Sequence, residues 1–271
     1  MVEQFLPPVP KMKEWKGDVF RVSVMYSFAG ISTSIFLDHP NGTLVLDCGD
    51  GAVRDMIEVF RVQLDEAGVE HIFDLGKAGN RIDAVIISHA HFDHYSGILT
   101  MLEFLQLLGR NRPLSVIYPS GARAVEDLVD HFVKHLWESP CFDLDLIPVG
   151  SGDLLNVEGT TVETFRAVHR SSRPGLTGPP IDALSFRLTR KGEVISYSGD
   201  TSDKELLRPV VKDADLAIIE ATFPNGHNDA SGVHLTRDQA LSAGSLAKDH
   251  MLIHFTAASY RDGINPGTRE V

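Results

Sequence analysis

The run Asp83-Ala84-Val85-Ile86-Ile87-Ser88 reads as a buried strand and leads straight into His89-Ala90-His91-Phe92-Asp93-His94. No other stretch constrains the chain as strongly. Four side chains able to ligate a metal stand within six residues at the mouth of an apolar strand. An imidazole or a carboxylate removed from water needs a partner, and one divalent cation satisfies several at once. Ligands one, three, five and six along such a turn cannot all face one ion, so the cluster divides between two neighbouring sites. A polar loop of exposed histidines is the plainer alternative. It leaves unexplained the ligand-type residues that end other strands further along.

Those residues are His169, Asp200 and His254. His169 follows the extended run Thr161 to Val168, Asp200 follows Val194 to Gly199, and His254 ends His250-Met251-Leu252-Ile253. Strand ends are where open α/β architectures carry chemistry, because the loops there are free to vary. Taken singly, a strand-end histidine is more often structural, and an Asp before Thr is more often a cap or turn residue. Together with the cluster they form a set that neither role explains.

Extended segments are expected at Val19–Phe28 and Ser32–Leu37, with Asn41-Gly42 as a hairpin signal before Thr43–Asp47. Helical spacing follows from about Ala52 to Glu66, again around Ile98 to Leu108, and from Ala122 to about Trp137, with a short buried strand at Leu114–Tyr118. Short strands fill Phe142 to Val168, and Ile181–Thr189 pairs with Glu193–Tyr197 around Arg190-Lys191-Gly192. A helix (Asp203–Val211), a strand (Leu216–Glu220), a helix (Arg237–Lys248) and a last strand (His250–His254) complete the pattern. Two sheets in the middle with helices outside would bury it, as a four-layer αββα sandwich of the α/β class. No repeat and no linker divides the chain. A single domain over 1–271 is expected, its core about 18–260, with the Pro/Gly-rich stretch Arg173–Pro180 as a surface loop.

The formal charge of −12 over 271 residues disfavours broad, sequence-independent binding of nucleic acid, which rests on clustered Lys and Arg. Two dications would offset several of those acidic charges. No apolar run approaches the roughly 20 residues that cross a bilayer. Met1–Pro10 has neither a basic region nor an apolar core, so a cytoplasmic protein without a membrane partner is expected. Cys48 and Cys141, far apart and outside any CxxC spacing, are expected as buried reduced thiols.

With His89-Ala90-His91-Phe92-Asp93-His94, His169, Ser198-Gly199-Asp200-Thr201 and His254 in this order, the chain resembles the metallo-β-lactamase superfamily. That resemblance implies the αββα sandwich and a two-metal site. His89, His91 and His169 would hold one ion, and Asp93, His94 and His254 the other. Asp200 would bridge them together with a hydroxide nucleophile. Zinc suits the set, and manganese, iron or cobalt are accepted by the same donors. The stretch Ile219-Glu220-Ala221-Thr222-Phe223, then His234-Leu235-Thr236 and His254-Phe255-Thr256, is similar to the ribonuclease Z branch. The likeness implies His234 as proton donor to the leaving group, with Glu220 as the partner that orients or charges it; Asp93, besides ligating, is expected to receive or steer the proton of the attacking water.

One departure bears on the substrate. Ribonuclease Z carries a long tRNA-clamping arm between the third metal histidine and the bridging aspartate, and only 30 residues separate His169 from Asp200 here. Relatives without the arm include phosphodiesterases acting on small or cyclic phosphate esters. The expectation is therefore a binuclear metal-dependent phosphodiesterase for small or nucleotide-like phosphate esters, with extended nucleic-acid binding not expected and a homodimer allowed. Arg170 and Arg173 would meet phosphate, and His227 would approach the substrate from its loop. Three rivals stand: a hydrolase of carboxylic esters, lactones or another non-phosphate bond on the same metals, a non-catalytic binding protein, and a di-iron redox enzyme. His131 and His135 are expected on a solvated face; His39, His71 and His250 at the surface or at strand ends.

Overall fold

A computed structural model describes residues 12–66, 79–136, 141–173, 176–227, 232–256 and 259. The chain divides into two compact units: an N-terminal one of Glu14–Tyr26 and Gly30–Val149, and a C-terminal one of Met1–Lys13, Ser27–Ala29 and Gly150–Val271.

The N-terminal unit is built on a sheet ordered β1 (Lys13–Lys16), β2 (Arg21–Phe28), β3 (Ser32–His39), β4 (Gly42–Cys48), β5 (Ile82–Ile86), β6 (Leu114–Pro119), β7 (Leu144–Val149). Strands β3 and β4 form the expected hairpin, but its two turn residues are Pro40 and Asn41, and Gly42 already pairs with His39. Gly42 lies so close to the Asp83 carboxylate that any Cβ there would overlap it. From β4 to β7 the pairing is parallel. Parallel neighbours need crossovers, and helices supply them. Helix α1 (Ala52–Glu66) buries Ala52, Met56, Val59 and Phe60, and the helix Ile98–Leu107 buries Ile98, Met101, Leu102 and Leu105. Both follow the 3.6-residue period that faces one side of a helix to a core. The third helix, Arg123–His131, continues as a π turn through Leu136, and Trp137 lies outside the described residues.

The C-terminal unit carries a sheet ordered β15 (His250–Ile253), β14 (Leu216–Glu220), β13 (Glu193–Tyr197), β12 (Leu184–Arg190), β9 (Thr160–Arg166), β8 (Leu154–Val157). β12 and β13 pair around Lys191-Gly192, both at positive φ (48° and 87°), the conformation that fits the twist of a two-residue hairpin. β13, β14 and β15 run parallel.

Several expectations are corrected here. Of the expected loop Arg173–Pro180, Pro174 and Gly175 lie outside the described residues, and the rest is not a plain surface loop. β10 (His169–Arg173) and β11 (Leu176–Ile181) pair antiparallel as a separate two-stranded ribbon, with His169 opposite Ile181. Pro179 falls where the register shifts between the Arg170–Pro180 and Ser172–Thr177 pairs, and edges and bulges of this kind are where a strand tolerates proline. Ile181 accordingly belongs to β11, and β12 starts at Leu184. The helix expected from Asp203 begins only at Arg208, because Asp203 Oδ1 accepts the Glu205 N–H at 2.9 Å and holds a turn. The helix from Arg237 ends at Gly244, against which the His250 ring packs. Cys48 is a buried free thiol as expected, whereas Cys141 is exposed. His39 ends β3 and is buried, its Nε2 lying 3.0 Å from Asp83. His131 is exposed; His71 and the His135 side chain lie outside the described residues. No helix among the described residues is long and apolar enough to cross a membrane.

Candidate metal centre

In the N-terminal unit, β5 ends at Ile86 and the chain enters a four-residue helix, Phe92–Tyr95, through His89 and His91. Two glycines allow this helix to seat closely. A Cβ at Gly49 would lie 2.2 Å from Asp93 O, and one at Gly97 2.1 Å from Gly49 O. His89 and His94 are fully buried and their rings approach to 4.1 Å, while His91 packs edge-on to His89 at 4.7 Å. Asp93 Oδ2 accepts the Gly30 N–H at 2.6 Å and lies 3.6 Å from His94 Nε2.

A fully buried carboxylate that the sequence does not single out, Asp47, organises this group. It ends the apolar part of β4 at a left-handed φ of 55°, a conformation that costs a non-glycine residue roughly 1–3 kcal/mol and clusters at functional sites. Asp47 accepts the Ser88 N–H at 2.6 Å, the Ser88 hydroxyl at 2.8 Å and His94 Nδ1 at 2.6 Å. Ser88 has one hydroxyl proton, which goes to Asp47, so His89 Nδ1, 3.0 Å away, donates to Ser88 Oγ.

The C-terminal unit repeats this device. Glu220, at the end of β14 and fully buried, accepts from the N–H groups of Thr201, Thr222 and Leu235 at 3.1 to 3.2 Å. It also accepts the Thr222 hydroxyl at 2.7 Å and His234 Nδ1 at 3.0 Å. The single Thr222 proton has two oxygens in reach, Glu220 Oε2 and, at 3.0 Å, His254 O. His254 Nδ1, 2.9 Å from Thr222 Oγ1, is therefore the donor of that pair. His169 Nδ1 donates to Val233 O at 2.8 Å.

These histidines and Asp200 converge within the unit. Asp200 follows Gly199 (φ 56°) and lies 3.7 Å from His169 Nε2, 3.8 Å from His234 Nδ1 and 3.5 Å from His254 Nδ1. Ligand-type atoms of Asp200, His234 and His254 stand within 4.8 Å of one another. His254 itself sits at φ 57°, a second strained residue at a site strand end.

The donor chemistry fits a metal. In His89, His94, His169 and His254, Nδ1 is committed to an oxygen of the protein, so Nε2 carries the lone pair a cation takes. Metal-binding histidines are oriented in this way, by a carboxylate, hydroxyl or carbonyl on the other ring nitrogen. His234 differs in exposure: its side chain is 14% exposed, against 0–2% for His94, His169 and His254.

Of the three residues expected to touch substrate, His227 is exposed and stacks on Phe223, at 4.2 Å between ring centroids. Arg170 Nη1 donates to Gly178 O at 3.1 Å and so braces the β10–β11 ribbon. The Arg173 side chain lies outside the described residues.

A family model described as a beta-lactamase superfamily domain matches residues 43–255. The chain belongs to the beta-lactamase superfamily. It is 25% identical over 256 residues to ribonuclease Z of Halorubrum lacusprofundi, covering 79% of this chain and 74% of that one. Among solved structures it resembles the metallo-beta-lactamase fold protein YhfI from Bacillus subtilis, with a TM-score of 0.65 and 19% identity over 88% of this chain and 87% of that one. It also resembles the short form of human tRNase Z, with a TM-score of 0.64 and 20% identity over 87% of this chain and 92% of that one. The expected α/β metallo-β-lactamase fold is therefore present.

Proposed function

We propose that the two groups of ligands work as one binuclear centre in a single domain of about residues 18–260, and that the chain is a phosphodiesterase. His89, His91 and His169 would hold one divalent cation, Asp93, His94 and His254 a second, with Asp200 shared. The superfamily match running from 43 to 255 through both units supports this assembly. Zinc suits the nitrogen-rich, carboxylate-bridged set. Metal ions held there supply a water acidified to near neutral pH and positive charge for the substrate oxygens.

The observation that carries the phosphodiesterase reading is the His234–Glu220 pair. Glu220 fixes the ring through Nδ1, at 3.0 Å, so once the ring carries a second proton, as imidazolium, the one available for transfer is on Nε2. The ring is buried enough to be held and exposed enough to meet a leaving oxygen. Donation there relieves the alkoxide that departs when a phosphodiester breaks. Asp93, held by Gly30 N–H, steers the proton of the incoming water. The ribonuclease Z relatives support phosphate as the group attacked. The formal charge of −12 and the short β10–β11 ribbon favour small or nucleotide-like esters over a long RNA. Arg170, Arg173 and His227 are the proposed substrate contacts.

His234→Ala tests the assignment. The variant should keep its metal while turnover of an unactivated phosphodiester falls about a hundred- to ten-thousand-fold, the usual worth of a general acid. An aryl ester, whose leaving group needs little protonation, should be affected far less. Full activity of the variant on the unactivated ester would remove His234 from the mechanism. Faster wild-type cleavage of lactones than of any phosphodiester would move the chain to carboxylic esters.

A further inference from the structure

We infer that the stacked rings of His227 and Phe223 form a platform for a flat aromatic group on the leaving half of the substrate, a nucleobase in a nucleotide-like ester. This rests on the phosphodiesterase reading and deepens it by naming the group recognised. Phe223 is clasped to the segment that bears His234: its N–H donates to Leu235 O at 3.1 Å, and its carbonyl accepts the Arg237 N–H at 3.0 Å. Its ring meets His234 edge-on, with centroids 5.7 Å apart at 82°.

The chain then reverses. Gly226 sits at φ 74°, a conformation glycine adopts without strain, and His227 N–H donates to Pro224 O at 3.3 Å. That turn lays the imidazole over Phe223 at 4.2 Å and 28°, while His227 stays exposed. Among the described residues His227 belongs to none of the groups able to share a metal. What remains is a planar, solvent-facing ring, one aromatic layer from the proposed proton donor. The half of the substrate that accepts the His234 proton must lie beside His234, and a base on that half can extend the stack. Stacking of a base on an aromatic side chain is sequence-tolerant and is commonly worth about ten-fold in binding or more.

The test compares two esters that share a retained thymidine 5′-phosphate: the dinucleotide thymidylyl-thymidine, and the methyl ester of thymidine 5′-phosphate. With metal-loaded enzyme, His227→Ala should raise KM for the dinucleotide about ten-fold with little change in kcat or in metal content. KM for the methyl ester should be unchanged, and His227→Phe should restore the dinucleotide value. If His227→Ala alters neither KM, or both equally, while the wild type cleaves both esters, the platform is wrong and the phosphodiesterase reading stands. If the wild type cleaves neither ester, that reading fails and the platform falls with it.

Discussion

The two groups are held by the same device, and the proposal gives them different uses. In the N-terminal unit, Asp47 fixes His94 directly and His89 through the Ser88 hydroxyl. In the C-terminal unit, Glu220 fixes His234 directly and His254 through the Thr222 hydroxyl. Each carboxylate ends a buried strand, β4 or close to it in one case and β14 in the other. The histidine that each carboxylate touches differs. His94 is sealed from solvent, whereas His234 is 14% exposed. A sealed imidazole with its Nδ1–H committed can only offer a lone pair to an ion. A partly open one can take up a second proton at Nε2 and pass it to a substrate. Exposure, with the anchoring held constant, separates ligand from proposed acid.

The largest effect that can break this comparison comes from Glu220→Ala. Beyond releasing His234, the variant strips the acceptor from the buried N–H groups of Thr201, Thr222 and Leu235. At roughly 1–3 kcal/mol for each orphaned donor, the loss is about 3–9 kcal/mol, most of the stability of an ordinary domain. A urea midpoint close to wild type would show that Glu220 is not the organising group.

Asp47→Asn is milder, because the amide keeps the shape but cannot accept from Ser88 and His94 as a carboxylate does. Affinity for the metal should fall about 10- to 100-fold, with smaller loss of fold. Competition against a chromophoric chelator reads this directly, and unchanged affinity would mean Asp47 is structural alone.

The smallest effect sits behind the C-terminal group. Lys13 Nζ donates to Leu252 O at 2.7 Å and lies 4.5 Å above the Phe255 ring, and burial pulls its pKa down to about 7. The unfolded chain keeps that proton up to about 10.5, so between these values the unfolded state binds more protons and folding is favoured progressively as pH rises. Lys13→Met should therefore melt above wild type at pH 6, with the gap narrowing toward pH 10. A gap that is flat with pH would contradict the buried, easily deprotonated amine.

What was legible in the sequence follows from how the information is stored. His89, His91, Asp93 and His94 are contiguous, so their spacing alone marks them. His169, Asp200 and His254 come from separate strands and are found only because each ends an apolar run. Asp47, Ser88 and Thr222 stand in the quoted runs without a role of their own, since a carboxylate or hydroxyl at a strand end is the same letter whether solvated or buried. Glu220 reads equally well as an exposed cap, and only full burial with five donors separates the two roles. The β10–β11 ribbon is missed because Pro and Gly mimic a loop where no neighbouring strand demands their donors.

The proposal that most needs testing is the two-ion centre. Elemental analysis of chain stripped with chelator, reloaded with zinc and desalted tests it most directly. The account predicts two ions per wild-type chain and a marked loss in Asp200→Ala, which removes the shared ligand. One ion or none in the wild type, or an undiminished pair in Asp200→Ala, would contradict it.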